Sequence, residues 1–85
     1  MRYFIGIDVA KFKHTACVID TYGTVLIESF DFTNDIIGFQ SLLKNIKPFL
    51  KKKHLVGMED TGHYGDNLRN FLLEKQYKVV MLNPI

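Results

Sequence analysis

The sequence predicts a mixed α/β domain, and three observations support that prediction. Residues 3–33 contain three apolar, β-branched stretches joined by short turns, as in an antiparallel meander. The hydrophobic spacing then changes to a helical period near residue 36. Beyond that point two helix-like segments alternate with two further strand-like segments. Strands that follow helices in this way are expected to lie parallel to a neighbouring strand.

The first three predicted strands are rich in aromatic and β-branched residues. They are residues 3–8 (YFIGID), 14–20 (HTACVID) and 25–33 (VLIESFDFT). The turn TYGT at 21–24 joins the second strand to the third, and it places Gly23 where a positive φ is expected.

The first predicted helix begins at Thr33 or Asn34, since either side chain can cap a helix. Its apolar side chains recur at 3.6-residue spacing: Ile36, Ile37, Phe39, Leu42, Leu43, Ile46 and Phe49 or Leu50. Pro48 interrupts this stripe, because proline lacks an N–H and its ring clashes with the preceding turn. The helix is therefore expected to end near Ile46, with a further turn at the proline.

The remaining segments are predicted as a strand, a helix and a strand. They are residues 54–59 (HLVGME), a helix from about Gly65 to Lys75, and 77–83 (YKVVMLN), which Pro84 closes. The resulting order, β-β-β-α-β-α-β, is that of a ribonuclease-H-like mixed sheet. Actin-like sugar kinases begin with the same order, so the order by itself does not decide the function.

Length and composition restrict the class of protein. The 85 residues suffice for one small domain, 1–85, and the 47% apolar and 24% charged content is typical of a globular protein. No apolar run approaches the ~20 residues of a membrane span, and the first residues do not resemble a signal peptide. The lone cysteine, Cys17, excludes an internal disulfide, favours a reducing compartment and is expected to be a small buried residue. The net charge of +2 says little about partners, and the KKK run at 51–53 is interpreted as a solvated helix end.

Two strands end in the same pattern. The first ends in FIGID and the fourth in LVGME, so that in each a glycine precedes an acid by two residues and shares its face: Gly6 with Asp8, and Gly57 with Glu59. If these strands are parallel neighbours, both acids lie at the carboxyl edge of the sheet, where open α/β sheets bind ligands. The glycines are expected to let a helix or substrate come close.

Two converging carboxylates keep their charges only if a cation lies between them or one of them takes up a proton. Mg²⁺ or Mn²⁺, with oxygen ligands and substrate phosphates, matches this chemistry and is used in phosphoryl transfer. The alternative is that Asp8 and Glu59 merely end their strands and face water. Asp60 points the other way and is predicted to shape the following turn, and Asp20 is placed at the opposite edge.

The residues YFIGIDVAKFKHTACVID, VGMEDTGHYGDNL and VVMLNP, with the F.N...GF..L spacing in 32–42, resemble a known family. They are similar to the amino-terminal part of the DEDD-type insertion-sequence transposases, the insertion sequence one-ten family related to Piv-type DNA invertases. The similarity spans nearly the whole chain, and the G-x-E-x-T-G-H-Y block is its most specific part.

The resemblance implies a RuvC-like, ribonuclease-H-fold domain that is incomplete at its C-terminus. It places the first D of the family motif on Asp8 and the E on Glu59, as catalytic and metal-binding residues, with Mg²⁺ or Mn²⁺ bound only by the complete site. DNA, an element-encoded guide RNA and a homo-oligomer are the implied partners, without a membrane, in the cytoplasm of a bacterium or archaeon near the nucleoid. The last two aspartates and a serine-bearing domain have no counterpart before Ile85, so the chain alone is not expected to cut or join DNA.

Three further residues near the proposed site are candidates for substrate contacts. Lys11 follows Asp8 and is placed to attract a nucleic-acid backbone, and His63 and Tyr64 follow Glu59. Structural roles in a solvated hairpin and in loop packing are the alternatives for them.

Two other functions remain open at this stage. An actin-like sugar or acetate kinase lobe carries a glycine-rich phosphate loop after its first aspartate, whereas VAKFKH here contains no glycine. A non-catalytic dimerisation module is the second alternative, because an uncovered sheet face favours self-association.

Overall fold

The computed structural model describes residues 1–82 and contains a five-stranded sheet with two α-helices. In chain order the elements are β1 (Tyr3–Asp8), β2 (Lys13–Asp20), β3 (Val25–Thr33), α1 (Ile36–Ile46), a 3₁₀ turn (Lys47–Phe49), β4 (His54–Glu59), α2 (Asp66–Glu74) and β5 (Val79–Leu82). The predicted mixed α/β class is confirmed. No helix among these residues is long and apolar enough to cross a membrane.

The sheet has the strand order β3-β2-β1-β4-β5. β1 and β3 each pair with β2 in antiparallel fashion, whereas β4 lies parallel to both β1 and β5. Gly23, in the turn between β2 and β3, has a φ of 81°, as its place in the turn predicts. The meander therefore forms one half of the sheet and the two crossover strands extend the other half.

Both helices pack on the same face of the sheet. Alternate strand residues on that face are buried: Ile5, Ile7, Ala16, Val18, Val56 and Met58. The helices add Phe39, Leu42, Ile46, Leu68 and Leu72 to the same core. The opposite face of the sheet carries side chains that stay partly accessible: Phe4, Asp8, Thr15, Cys17, Glu59 and Leu82. We call this surface, with Gly6 and Gly57, the open face.

The N-cap of helix α1 lies one residue after Asn34 and two residues after Thr33, the two predicted caps. Asp35 is its N-cap, with an extended φ of −158°, and its carboxylate accepts a hydrogen bond from Gly38 N–H at 2.8 Å. Thr33 still belongs to β3 and donates its hydroxyl to Asp35, and the amide of Asn34 contacts two other loops. The predicted end is confirmed, since the helix stops at Ile46 and a 3₁₀ turn with proline in its first positions follows.

We expect acid to destabilise the start of α1. The hydrogen bonds from Gly38 N–H and the Thr33 hydroxyl hold the pKa of Asp35 below its ordinary value of 3.8. A pKa that is lower in the folded chain contributes stability above the unfolded pKa, and this stability is lost as the pH falls through the folded pKa. The Tm should therefore fall between about pH 6 and about pH 2.5, and it should fall less in Asp35→Ser, whose hydroxyl caps the helix without titrating. Thermal unfolding followed by circular dichroism measures both, and equal losses in the two proteins would contradict the assignment.

Strand β5 begins at Val79, two residues later than predicted. Tyr77 is buried at 3% exposure and packs edge-on against His54, so it belongs to the core rather than to the sheet ladder. Lys78 N–H donates to the side chain of His54, in β4, at 3.1 Å rather than to the backbone of that strand. The predicted end of this strand, at Asn83 and Pro84, lies outside the described residues.

Candidate functional site

The two acids that share a sequence pattern lie side by side in the fold. The parallel register of β1 and β4 places Gly6 opposite Gly57 and Asp8 opposite Glu59. Adjacent strands are about 4.8 Å apart, so the carboxylates project from neighbouring positions at the carboxyl edge of the sheet. Both residues are exposed. The predicted adjacency of the two strands is therefore confirmed.

The surroundings of this pair suit a hard cation. Within residues 1–82, neither carboxylate accepts a hydrogen bond or forms an ion pair, and the one ion pair joins Lys13 to Asp31. The backbone pairing continues past the acids, because Val9 N–H donates to Glu59 O at 2.9 Å and so holds the two strand ends together. The two carboxylates thus stand on strand ends that a backbone hydrogen bond holds together, and they offer oxygen ligands of the kind that Mg²⁺ and Mn²⁺ prefer.

Among the described residues, the pair has no third ligating side chain beside it. Residues 1–82 contain no group of three or more His, Cys, Asp and Glu side chains that could hold a metal ion. A cation at Asp8 and Glu59 would therefore take its remaining ligands from water, from a phosphate or from other protein groups.

The glycines below the acids make room for a side chain of this chain itself. A Cβ on Gly57 would lie 2.6 Å from Cζ of Phe4, and one on Gly6 would lie 3.3 Å from Cε1 of the same ring. The Phe4 ring thus covers both glycines, where the sequence predicted the approach of a helix or substrate. The predicted approach of a helix or substrate to these two glycines is therefore wrong, because Phe4 lies on the same face as Gly6 and Asp8 and its ring fills that space.

Beneath the carboxylates, the open face forms a concavity of about 400 Å³. Phe4, Thr15 and Cys17 line it, and Asp8 and Glu59 lie at its rim. Cys17 is half-buried in this concavity and lies outside the core, so the prediction of a buried cysteine is wrong. The alternation of β2 sends its even-numbered residues, not Cys17, towards the helices.

Asp60 has the structural role that its place after the strand predicts. One carboxylate oxygen accepts a hydrogen bond from Tyr64 N–H at 2.9 Å and the other from Gly65 N–H at 2.7 Å. These bonds close the loop that leads into α2. Asp20 likewise lies at the opposite edge, beside Tyr3, and accepts hydrogen bonds from the turn after β2.

The three candidate contact residues lie on loops beside the carboxylate edge. Lys11 is exposed, and its Nζ lies 5.1 Å from the ring centroid of Phe12. His63 is exposed and has a φ of 62°, a conformation uncommon outside glycine. The ring of Tyr64 folds over Gly62, where an added Cβ would lie 2.5 Å from the ring. Loop packing therefore accounts for part of Tyr64, which remains 44% exposed.

Asn34 connects these loops, a role that the sequence did not reveal. Its Nδ2 donates to the carbonyl oxygens of Lys11, at 3.0 Å, and of Tyr64, at 3.3 Å. Its own N–H donates to Phe12 O at 3.0 Å. Asn34 thereby holds the loop after β1 against the loop after β4. From the sequence, Asn34 was predictable only as a possible helix cap and as part of the F.N...GF..L spacing of the family resemblance.

A buried histidine also supports the loop after Asp8. His14 is fully buried between the rings of Phe32 and Phe39, and its Nδ1 accepts a hydrogen bond from Ala10 N–H at 3.2 Å. Since Nδ1 accepts, the ring proton of the neutral imidazole lies on Nε2. His14 therefore positions backbone near the site and is not a ligand of it.

The chain is similar over nearly its whole length to a transposase family and to gene-inverting proteins. Residues 5–85 match the family model DEDD_Tnp_IS110, described as a transposase. The pilin gene-inverting proteins of Moraxella lacunata and Moraxella bovis are 33% and 32% identical to the chain over 87 residues. Each comparison covers 99% of this chain and 26% of the relative, so the chain spans about a quarter of the length of these proteins.

A solved structure resembles the fold at low sequence identity. The Ppx/GppA phosphatase of Aquifex aeolicus, in its type II variant, has a TM-score of 0.51 and is 11% identical. The match covers 99% of this chain and 36% of the phosphatase. It is compatible with the mixed α/β fold and says nothing about activity.

Proposed function

Because the chain belongs to the DEDD transposase family of the IS110 type, we propose that it supplies half of a four-carboxylate centre for cleavage and transfer of DNA strands. Asp8 and Glu59 are the two carboxylates of this half. The observation that carries the proposal is their pairing in register at the carboxyl edge of two parallel strands. That edge is where open α/β sheets bind their ligands.

The same proposal assigns the sheet to the ribonuclease-H-like, RuvC-like class. An antiparallel meander of three strands, followed by two parallel strands that each come after a helix, supports this assignment. The fold then explains why the helices lie on one face, because both crossovers proceed in the same direction across the sheet and share one hand.

The residues of this chain have distinct parts in the proposed reaction. Asp8 and Glu59 hold the cation, and Lys11 attracts the phosphate that approaches it. Asn34 keeps the two flanking loops together, and Asp60 fixes the loop that carries His63 and Tyr64. Mg²⁺ or Mn²⁺ bound at such carboxylates polarises a phosphoryl oxygen and lowers the barrier to in-line displacement. The remaining ligands come from the rest of the carboxylate set and from the DNA backbone.

DNA is the proposed partner of this centre, in the cytoplasm. A guide RNA and a homo-oligomer follow from the family resemblance alone and remain predictions. The kinase alternative is disfavoured, because the loop after Asp8 has no glycine at which backbone N–H groups could approach a phosphate.

A titration with Mn²⁺ tests the proposed cation site on the chain itself. Mn²⁺ is paramagnetic, so amide signals near its binding site broaden in an NMR spectrum even when binding is weak. Firm binding of Mg²⁺ or Mn²⁺ is expected only with the complete site, but two carboxylates can still hold Mn²⁺ weakly. We therefore expect the amides of Asp8 and Glu59 to broaden together at about millimolar Mn²⁺, and an excess of Mg²⁺ to restore them, because both cations take oxygen ligands.

Two results would overturn the assignment. One is broadening centred on Asp60 and Asp66 with Asp8 unaffected, and the other is no broadening of the Asp8 and Glu59 signals at any concentration that the folded chain tolerates. Circular dichroism spectra recorded at each concentration show whether the chain remains folded.

A further inference from the structure

A basic groove lies at the end of the sheet opposite the carboxylate pair. It has a volume of about 440 Å³, and its charged lining consists of Arg2, Lys51, Lys52, Lys53 and Lys78. We call these five side chains and the space between them the basic groove. None of its remaining lining residues is acidic. All five basic residues are exposed.

The position of the groove follows from the parallel strands. Arg2 precedes β1, Lys53 precedes β4 and Lys78 precedes β5. Because these three strands run in the same direction and are neighbours in the sheet, their amino ends meet at one edge. The same parallel arrangement that brings Asp8 and Glu59 together at one end therefore collects cations at the other.

The backbone of the groove is braced by His54. Its Nε2 accepts a hydrogen bond from Lys78 N–H at 3.1 Å, so the ring proton lies on Nδ1, which donates to Lys52 O at 2.9 Å. Tyr3 N–H donates to Lys53 O at 2.9 Å. The buried imidazole thus connects the KKK segment to the residue before β5, so the backbone that carries Lys52, Lys53 and Lys78 is held in place.

The side chain of Lys52 also contacts an aromatic ring. Lys52 Nζ lies 5.3 Å from the ring centroid of Tyr3, which is within the range of a cation–π contact. The run at 51–53 is therefore exposed, as predicted, and its backbone is also held in place. It forms one wall of a preformed groove.

The charges of the groove are not neutralised within the described chain. The single ion pair of residues 1–82 joins Lys13 and Asp31, which lie elsewhere. Like charges held together repel one another and attract a polyanion. The three neighbouring strands β1, β4 and β5 span about 10 Å, a length over which duplex DNA presents about six phosphate charges.

We propose that the basic groove binds the phosphodiester backbone of a nucleic acid, at a place separate from the carboxylate centre. The inference rests on the proposed function only in its choice of nucleic acid as the polyanion. The six residues of β1 separate the two sites by about 20 Å, so a nucleic acid can contact the groove without reaching Asp8 or Glu59. The groove then contributes affinity and orientation without reading sequence.

The test compares two charge-matched double variants of the chain. Lys51→Gln/Lys53→Gln removes two cations from the groove, and Lys44→Gln/Lys47→Gln removes two exposed cations that do not line it. Binding of a fluorescent 20-base-pair DNA duplex is followed by fluorescence anisotropy between about 50 and about 200 mM salt. Log K falls as log salt rises, and each lost phosphate contact makes this slope less steep by about 0.9. The slope of the groove variant should therefore be less steep than that of the parent chain by about 2.

At about 50 mM salt we expect Lys51→Gln/Lys53→Gln to bind the duplex at least about tenfold more weakly than the parent chain does. The affinity of Lys44→Gln/Lys47→Gln should stay within about threefold of the parent's. A single-stranded RNA of equal length, tested in parallel, shows whether the groove prefers duplex DNA or RNA. Circular dichroism at the same temperature verifies that both variants are folded.

Equal losses in the two variants would overturn the proposal, because they would show that only net charge matters. Failure of the parent chain to bind either nucleic acid at low salt would also overturn it. Repeating the anisotropy measurements in EDTA separates this result from the proposed function, since phosphate contacts by the lysines and arginine of the groove need no divalent cation, whatever the Mn²⁺ titration shows.

Discussion

Replacing Gly38 with alanine is expected to unfold the chain or lower its free energy of unfolding by at least about 3 kcal/mol. A Cβ at this position would lie 1.9 Å from Thr33 O and 2.6 Å from Thr33 C and N. These are backbone atoms at the end of β3, so no side-chain rotation relieves the overlap. The first turn of α1 would have to move away, and with it the cap at Asp35 and the buried ring of Phe39.

Helix propensity alone would predict the opposite change in stability for Gly38→Ala. Alanine in place of glycine within a helix normally stabilises it by about 1 kcal/mol. Thermal unfolding followed by circular dichroism should give a Tm at least about 12 °C lower, given about 4–8 °C for each kcal/mol in a domain of this size.

Two variants serve as controls for Gly38→Ala. Gln40→Ala, at an exposed position of the same helix, should leave the Tm almost unchanged. Gly57→Ala should cost less than Gly38→Ala, because the atom that its Cβ would meet belongs to the movable ring of Phe4. A Tm of Gly38→Ala equal to or above that of the parent would contradict the close approach of α1 to the end of β3.

Removing either charge of the carboxylate pair is expected to weaken Mn²⁺ binding by at least about tenfold. Even groups that only orient a metal ligand cost about 10–100-fold in affinity when they are replaced, and Asp8→Asn or Glu59→Gln removes a proposed ligand itself. The broadening of the amide signals at both positions should disappear in each single variant, because the two carboxylates act on one cation. An NMR titration of each variant with Mn²⁺ measures this loss.

Stability provides a second readout that separates a binding role from a structural one. Two like charges at opposed positions of neighbouring strands destabilise the sheet, so either substitution should leave the Tm unchanged or raise it slightly. Asp66→Asn, which changes an exposed carboxylate on α2, should keep the broadening of the parent chain. Loss of broadening in Asp66→Asn, or its persistence in Asp8→Asn, would refute the assignment of the pair.

The proposed functions divide the sheet between its two ends. The carboxyl ends of β1 and β4 present the acids, and the amino ends of β1, β4 and β5 present the basic groove. Both features depend on the parallel half of the sheet, and the antiparallel meander contributes the loop that Lys11 occupies. A nucleic acid that contacts both ends would be held by charge at one and processed at the other.

Much of the architecture could be predicted from local patterns. The strand and helix segments follow from hydrophobic spacing and turn residues, which act within a few positions along the chain. The repeated Gly-x-acid ending predicted that Asp8 and Glu59 lie side by side if the first and fourth strands are parallel neighbours, and the register of β1 and β4 confirms this. The end of α1 before Pro48 was predictable for the same reason, because a proline acts on its own helix.

The tertiary structure alone decided which distant groups meet. It placed the Phe4 ring over Gly57, gave the helix cap to Asp35, and left the amide of Asn34 to join two loops. It also turned the KKK run, which the sequence suggested was a solvated helix end, into one wall of a groove completed by Lys78. The contacts of Phe4, Asn34 and Lys78 join residues from different segments, and their meeting depends on how the whole sheet is assembled. The cap at Asp35 is local, and it follows from Thr33 remaining in β3. The sequence by itself determined most of the elements and the matching Gly-x-acid endings, because those depend on spacing along single strands and helices. The pairing of Asp8 with Glu59 also required β1 and β4 to be neighbours, which the assembled sheet decided.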